Sequence, residues 1–383
     1  MGAVSFLTDL SSEMIYPLLP VFLTAVLGAG AIQLGIIEGI AEATASILKI
    51  VAGLWTDKIQ RRKPFVLFGY SISGLTRPLI GLANIWPAVL IFRFLDRVGK
   101  GLRTSPRDAL IADVTESGQR GRAYGLHRAM DHAGAVLGPL VAIVLLKWAH
   151  FSLRQVFLAA VIPGIFVVIL LAWGLKEPSA KTAPGIISGF SFRSLFLMPR
   201  DFRLFMGSIF IFTLGNSTDA FFLLRLTDAG VSAAGVAFLW SMHHVVKMIS
   251  TYWGGHFSDR VGPGKLLLAG WVYYAVIYLL FGIFSSLAMS IAIFLLYGIY
   301  FGLTEPTEKA LVSHLAPQDL RGTGFGIYHG VIGLGSLPAS IVFGLIWKAW
   351  GSMAAFSTGA ALAALACIFL YFSLGKRFEG AEV

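Results

Sequence analysis

The sequence predicts an all-α integral membrane protein with twelve transmembrane helices in two pseudo-symmetric six-helix halves. Three observations lead to this prediction. The chain is 56% hydrophobic and 13% charged, whereas a soluble domain carries about 25% charged residues. Its apolar residues fall into runs of about 20, the length that crosses a bilayer as a helix. A short pattern of a glycine, an aspartate and basic residues occurs twice, half a chain apart, which indicates an internal repeat.

Twelve apolar runs are long enough to cross a bilayer, and they define spans 1 to 12. The spans are 4–27, 32–56, 65–85, 87–107, 121–147, 153–175, 204–226, 231–256, 265–285, 288–312, 322–348 and 353–375. The longest connection joins spans 6 and 7 and is rich in Pro, Ser and Gly. We therefore expect an N-terminal half at 1–178, a linker at 179–203 with a short interfacial helix at 192–198, and a C-terminal half at 204–383.

The net charge of +10 is concentrated in the loops on one side of the predicted bundle. Besides the linker, these loops contain Lys58, Arg61, Arg62, Lys63, Arg107, Arg120, Arg260, Lys265, Arg321, Lys376 and Arg377. The opposite loops contain Lys147, Arg154 and Lys348, near span ends. Because basic loops stay in the cytoplasm, we expect a multi-pass protein of the plasma (inner) membrane with both termini cytoplasmic. The alternation also argues against a nucleic-acid-binding face.

The first apolar run and the single cysteine argue against a signal peptide and against cysteine-based cross-links or metal sites. The first apolar run has no basic region before it and is interrupted by Asp9 and Glu13, so we expect a first span rather than a cleaved signal peptide. Cys367 has no second cysteine to pair with, which excludes an intramolecular disulfide and a cysteine metal cluster. We expect neither a metal nor a cofactor.

The repeated pattern follows spans 2 and 8. Its copies contain Gly53, Asp57, Arg61 and Arg62 in the first half and Gly255, Asp259 and Arg260 in the second. Gly101-Leu102 matches Gly302-Leu303, and the same spacing continues without a gap to Arg120-Gly121 and Arg321-Gly322. In the first span of each half, Ser11-Ser12-Glu13 matches Ser217-Thr218-Asp219 after a small insertion. This many matches in order indicate duplicated halves.

With these motifs the chain resembles the major facilitator superfamily of transporters over its whole length. The family's loop signature is matched by Gly53, Leu54, Asp57, Arg61 and Arg62, and a second time by Gly255, Asp259, Arg260, Gly262 and Lys265. Its fourth-helix signature reads Arg97 to Gly101, with Lys100 in place of the usual Gln. Its fifth-helix signature reads Gly134, Gly138 and Pro139 and lacks the closing pair of glycines. The resemblance implies alternating access around a central site for a small-molecule substrate.

The duplicated loops are candidates for a conformational latch. Asp57 follows a long apolar helix and precedes a basic loop, so it is expected to accept hydrogen bonds from a neighbouring helix N-terminus, or to pair with Arg61 or Arg97. Asp259 and Arg260 occupy the equivalent position. The alternative is that these residues are solvated helix-end charges that only set the topology.

Charged residues within the spans are the candidates for the transport site. A charge at the bilayer centre costs at least ~2.5 kcal/mol on insertion scales, so Arg97 is expected to face a cavity or a charged partner. Asp131 and His132 form a candidate proton relay, because histidine titrates near neutrality. By the resemblance, Glu13 and Asp219 lie on cavity-lining helices, where a carboxylate binds a proton or a cationic group. The alternatives are ion pairs and hydrogen bonds that only hold helices together.

The glycines and proline of the fifth span also have two interpretations. Gly134, Gly138 and Pro139 lie on one helix, and small residues allow neighbouring helices to approach closely. Pro139 additionally permits local bending within a membrane helix. These residues are therefore candidates for gating, and packing alone explains them equally well.

The most consistent function is secondary active transport of a small solute, driven by a proton gradient. No Gly-x-x-x-x-Gly-Lys-Ser/Thr loop for ATP is present in the sequence. The partial Gly-Pro signature favours export by proton antiport. The alternative is import of a polar or anionic solute by proton symport, which is supported by the positive stripe of span 4, formed by Arg93, Arg97, Lys100 and Arg103. We do not expect an enzyme, because polar residues are spread over both halves without a nucleophile and base. A receptor without transport activity is also less favoured. A single chain in the lipid bilayer is sufficient for this architecture, so we expect a monomer.

Overall fold

The computed structural model describes residues 1–29, 31–174, 198–231 and 233–380, and these ranges form helices with no strand. The linker expected at 179–203 and its interfacial helix at 192–198 lie outside the described residues apart from 198–203. In the described ranges, helices cover all twelve spans expected from the sequence. The all-α fold with twelve spans is therefore confirmed.

Spans 1 to 6 contain four long helices and two interrupted ones. The long helices form spans 2 to 5: Ala31–Ile59, Lys63–Leu79, Trp86–Val114 and Arg120–Lys147. Span 1 begins as Gly2–Glu13 and continues through short turns, because Pro17 and Pro20 cannot donate the backbone hydrogen bonds of a regular helix. Span 6 is divided into Leu153–Ala159 and Val161–Gly174.

Spans 7 to 12 have a similar arrangement. Span 7 is divided into Arg200–Gly215 and Ala220–Asp228, and the next three spans are the continuous helices Ala233–Val261, Pro263–Ile283 and Leu287–Leu315. Spans 11 and 12 share the helical stretch Arg321–Gly380, which is broken at Gly351 with φ 84° and ψ 173°. A positive φ of this kind favours glycine, so Gly351 marks the turn between the two spans.

Seven described helical stretches are long and apolar enough to cross a membrane by length and composition, and one of them, Gln318–Leu374, contains both span 11 and span 12. Spans 1, 2, 4 and 8 are not among them. Span 4 shows one reason, because it carries Arg93, Asp96 and Arg97 in the middle of its apolar residues. Such charged side chains are expected to face protein rather than lipid.

The chain packs as two compact units. In the described residues, the first unit contains Met1–Val114, 130–174 and Asp319–Gly326, and the second contains Thr115–Ala129, 198–318 and 327–380. Each unit thus includes a short segment from the other half of the sequence. Thr115–Ala129 includes the beginning of span 5, and Asp319–Gly326 includes the beginning of span 11.

Each unit has its own apolar core. In the first unit, the ring centroids of Phe22 and Phe157 are 5.0 Å apart, within a cluster that also includes Met14, Leu19, Leu23, Ile37, Ile80 and Val89. In the second unit the core is aromatic: Phe222 stacks on Tyr297 with centroids 4.3 Å apart and lies 4.6 Å from the ring of Phe281. Offset and tilted ring pairs of this kind stabilise a core beyond the area that they bury.

Glycines allow the helices to approach at several crossings. In the first unit, a Cβ atom on Gly69 would lie 2.6 Å from the carbonyl oxygen of Gly99 and 3.0 Å from the backbone nitrogen of Arg103. These neighbours are backbone atoms of span 4, so neither can move aside as a side chain would. The contact between spans 3 and 4 therefore depends on a residue without a side chain.

We predict that Gly69→Ala lowers the stability of the protein by about 1–3 kcal/mol, the usual cost of overpacking a closely packed site. The measurement is the apparent melting temperature of the purified protein in detergent. Gly39→Ala is the control, because a Cβ on the exposed Gly39 of span 2 meets no atom within 4 Å. Equal melting temperatures for the two variants would contradict the prediction.

Candidate functional site

The carboxylate of Asp57 caps the beginning of span 11. Asp57 lies near the end of the span 2 helix and is 2% exposed. The amide of Gly322 donates a hydrogen bond to its Oδ1 atom at 2.9 Å, and the amide of Thr323 donates to its Oδ2 atom at 2.5 Å. These amides belong to the first turn of the helix that begins at Arg321. An acid here satisfies N–H groups without helical partners and faces the positive end of the helix dipole.

Arg62 is the basic partner of Asp57, rather than the expected Arg61 or Arg97. Its Nη2 atom lies 3.3 Å from Asp57 Oδ1, and its Nε atom lies 3.2 Å from Asp113. Asp113 in turn binds Arg321 at 2.8 Å. Arg61 is exposed. The first cap is therefore held by alternating charges from spans 2, 4 and 11 and from the loop after span 2.

Asp259 forms an equivalent second cap in the second unit. It accepts hydrogen bonds from the amide of Gly121 at 2.7 Å and from that of Arg122 at 2.9 Å, at the beginning of the span 5 helix. The Nε atom of Arg122 lies 3.9 Å from the same carboxylate. Arg260, the basic residue of the repeated pattern, is exposed. The repeat in sequence thus corresponds to a repeat in geometry.

The glycines of the two loop motifs lie one helical turn before the capping acids. A Cβ on Gly53 would meet the Gly322 carbonyl carbon at 2.9 Å, and a Cβ on Gly255 would meet the Cα atom of Gly125 at 2.9 Å. Residues four apart share a helix face. The Gly-x-x-x-Asp spacing therefore places a carboxylate and a close backbone contact on the same side of the helix.

Three residues of the charged stripe of span 4, Arg93, Asp96 and Arg97, have charged partners within the first unit. The Nε atom of Arg77 donates to Asp96 at 2.7 Å. Arg93 binds Glu38 of span 2 through two nitrogen atoms, at 2.6 and 3.0 Å, and its Nη1 atom lies 3.6 Å from Asp96. Arg97 lies 3.9 Å from Glu38, a longer contact. These pairs link spans 2, 3 and 4 and offset part of the cost of burying charge.

Asp131 and His132 of span 5 are both buried, together with His127. The hydroxyl of Ser5 in span 1 donates a hydrogen bond to the Oδ1 atom of Asp131. The carboxylate is thus tied to span 1. A relay and a structural link between the helices both fit this contact.

Glu13 is the last residue of the first helix of span 1, where that span departs from a regular helix. Its side chain is half-buried, and span 5 passes close beside it. A Cβ on Gly138 would lie 2.7 Å from the Cβ atom of Glu13, and one on Gly134 would lie 2.8 Å from the backbone nitrogen of Leu10. Gly134 and Gly138 thus allow close packing of spans 1 and 5, and the span 5 helix continues through Pro139.

Asp219 lies at the break in span 7 and lines a cavity of about 310 Å³ in the second unit. The Nζ atom of Lys247 lies 3.2 Å from its Oδ2 atom, and the hydroxyl of Tyr297 donates to its Oδ1 atom at 3.1 Å. The hydroxyl of Tyr274 donates to the carbonyl of Gly215, at the end of the preceding helix, at 3.1 Å. Irregular backbone within a membrane protein is tolerated where it lines a cavity or is buried in protein.

The sequence interpretation missed most of the cavity wall. Besides Asp219, the wall includes Phe212, Tyr297, Tyr300, Phe301 and Glu308. Neither Glu308 nor these aromatic residues stand out in the sequence as candidates for the transport site. The available signal was the spacing of Tyr297, Phe301 and Glu308 along span 10, which places them on one helix face.

A family model described as Major Facilitator Superfamily matches residues 1–340, with a second match to 204–381. The chain belongs to the major facilitator superfamily. The second match begins where span 7 begins, as expected for a superfamily member with two repeated halves.

Similar proteins cover nearly the whole length of this superfamily member. An MFS-type transporter of Methanocaldococcus jannaschii, MJ1317, is 34% identical over 97% of this chain and 93% of the relative. The multidrug resistance protein MdtG of Escherichia fergusonii is 25% identical over 98% of this chain and 93% of its own. The crystal structure of the human organic anion transporter MFSD10 (TETRAN) shares the fold, with a TM-score of 0.81, 18% identity and coverage of 96% and 97%.

We predict that Asp57→Asn destabilises the protein by about 1–2 kcal/mol, the range for losing a charged helix cap. The asparagine side chain has one oxygen acceptor and places an NH₂ group against the second backbone N–H. The apparent melting temperature in detergent is the measurement. Arg61→Gln is the control, because Arg61 is exposed beside the same cap. A loss no larger than that of the control would show that the hydrogen bonds of Asp57 contribute little.

Proposed function

We propose that this transporter is a proton-coupled antiporter that exports a small solute by alternating access. The observation that carries the proposal is the position of Asp219, an acid at a helix break on the wall of a cavity. Its partners are one ammonium group and one hydroxyl. Helix breaks beside a cavity are where transporters of this architecture place substrate and coupling-ion sites.

A proton is the coupling ion that fits this carboxylate best. Asp219 presents a carboxylate to the cavity, and its side chain is 25% exposed. In the proposed cycle, binding of the coupling proton to Asp219 weakens the attraction of its carboxylate for Lys247, and release of the proton restores it. Protonation therefore changes the local charge and the hydrogen bonding of span 7 with span 8.

Glu13 supports the same proposal from the first unit. It corresponds to Asp219 in the repeat, and each residue lies where the first helix of its half is interrupted. Buried charges in membrane helices are costly and are found mainly at ion pathways and partner pairs. We therefore assign Glu13 a second role in proton coupling, with Asp131 and His132 of the neighbouring span 5 as candidate relay groups.

Two observations support export. MdtG, which is similar over nearly the whole chain, is named a multidrug resistance protein. In addition, Arg93 and Arg97, two basic residues of the span 4 stripe, contact Glu38 of span 2, so part of that stripe has its own anionic partner. The basic residues of span 4 are therefore weaker support for import of an anion than the sequence alone indicates.

The two caps are proposed to act as the conformational latch. Asp57 and Asp259 hold the beginnings of spans 11 and 5, and both lie beside basic residues of loops that we place in the cytoplasm of a plasma-membrane protein. Releasing a cap exposes helix N–H groups that water must then satisfy. Each cap therefore stabilises one conformation of the cycle and slows departure from it.

We predict that Asp219→Asn reduces solute-driven proton flux at least about tenfold, since the variant keeps the shape of the side chain and removes its titrating group. Proteoliposomes that contain trapped pyranine are tested with a panel of cationic, anionic and neutral solutes. Asp228→Asn, at an exposed acid of the same span, is the control. The proposal would be overturned if no solute of the panel drives proton flux, or if wild type and Asp219→Asn give equal flux.

We predict that Glu13→Gln uncouples solute movement from the pH gradient, because the amide cannot exchange a proton. Efflux of a solute identified in the first screen is measured in vesicles with and without an imposed gradient. The wild type is expected to respond to the gradient at least about tenfold more than the variant. Glu116→Gln, at an exposed acid, is expected to behave as wild type; an unchanged response in Glu13→Gln removes Glu13 from coupling.

A further inference from the structure

We propose that the cavity of the second unit binds an organic cation that carries an aromatic ring, and that this is the substrate class of the transporter. This inference rests on the proposed transport function. It follows from the charge of the cavity, from the aromatic rings in its wall, and from its size.

The wall of the cavity is anionic. Its lining residues, all within the described part of the chain, include the acids Asp219 and Glu308 and no basic residue. Lys247, the cation bound to Asp219, is buried and is not one of the lining residues. Glu308 accepts a hydrogen bond from the neutral hydroxyl of Tyr328 at 2.7 Å. An anion that enters would be repelled by the carboxylate of Glu308 in a partly desolvated site, whereas a cation would be attracted by it. At Asp219 the attraction for a cation is reduced by Lys247, which lies 3.2 Å away.

Aromatic rings form the other part of the wall. Tyr297 and Tyr300 have nearly parallel rings, 4° apart with centroids separated by 5.6 Å, and the ring of Phe212 lies 5.9 Å from that of Tyr300. Phe301 shows that a cation is accommodated in these surroundings, since the Nζ atom of Lys247 lies 3.6 Å from its ring centroid. Ring faces attract cations, most strongly when water is excluded, and they also stack on aromatic ligands.

The dimensions limit the ligand to a small molecule. A volume of about 310 Å³ is at the lower end for ligand pockets, which extend from about 300 to 1,000 Å³. Polar groups at one end include Asn216, Ser217 and Thr218 from the break in span 7, and Ser336 and Ser340 line the span 11 side. A single aromatic ring with a quaternary ammonium group and one hydroxyl matches this combination of charge, ring faces and hydrogen-bonding groups.

This substrate class also accounts for exchange with protons. A proton on Asp219 or Glu308 removes the negative charge that attracts the cation, so the two ligands compete for the same carboxylates. Antiport requires that the two ligands compete at one site and that each favours transport of the other in the opposite direction. The antiport is therefore expected to exchange positive charge for positive charge.

The test compares two ligands of the same shape. 4-Hydroxyphenyltrimethylammonium is cationic, and 4-tert-butylphenol is its neutral counterpart with carbon in place of nitrogen. Their binding to the purified full-length protein in detergent is measured by calorimetry, with benzoate as an anionic reference. We expect the ammonium compound to bind at least about tenfold more tightly than either of the others. Because this comparison uses the wild-type protein, it does not depend on whether a variant folds.

Variants then test whether the cavity is responsible. Glu308→Gln keeps the size of the side chain and an acceptor for Tyr328, and it is expected to weaken binding of the ammonium compound about tenfold while leaving 4-tert-butylphenol unchanged. Phe301→Leu is expected to weaken binding of the ammonium compound as well. Phe210→Leu is the matched control, because Phe210 is an exposed residue of span 7 outside the cavity wall.

The outcomes distinguish this inference from the proposed function. Equal binding of the cation and its neutral counterpart, or tighter binding of benzoate, overturns the substrate class even if another solute drives proton flux. Cation binding that Glu308→Gln and Phe301→Leu leave unchanged overturns the assignment to this cavity. Selective cation binding that these variants weaken supports the inference, and it does so even where proton flux is absent and the proposed antiport fails.

Discussion

The cost of placing charge in a bilayer governs this structure more than any other constraint. Fifty charged side chains belong to a chain that is 56% hydrophobic, and several of them lie within its spans. Arg77, Arg93 and Asp96 are each buried, and each is bound by an opposite charge from a neighbouring helix or turn. The spans are therefore held in register by their most costly residues, because a shift of one helix would leave a charge without its partner.

The internal repeat places the same kind of helix cap at two positions with different surroundings. Asp57 and Asp259 each accept two backbone hydrogen bonds at the start of a helix. Around the first cap, Arg62, Asp113 and Arg321 add ion pairs. At the position that corresponds to Asp113, the second half has His314, which contacts the carbonyl of Ser117. Duplication thus preserved the cap and allowed the charges around it to diverge.

The sequence predicted features that depend on local pattern, and it failed where distant helices meet. The twelve spans, the boundary between the last two, and the fold all follow from apolar run lengths and turn residues. The choice of Arg62 over Arg61 depends on the turn at Gln60, whose φ is 56°, and a loop signature does not encode that detail. Tyr297 and Tyr300 were missed because aromatic residues are equally common in cores, at lipid-facing surfaces and in cavities, so their spacing alone does not distinguish these environments.

The first cap also constrains how the protein is made. Asp57 is synthesised early, yet the amides of Gly322 and Thr323 that it binds belong to a segment added near the end of translation. Until that segment emerges, a carboxylate destined for burial has to stay in water or pair with Arg62 alone. The first unit is therefore completed only when most of the second has been translated, and until then the six N-terminal spans lack the segment Asp319–Gly326 of their own unit.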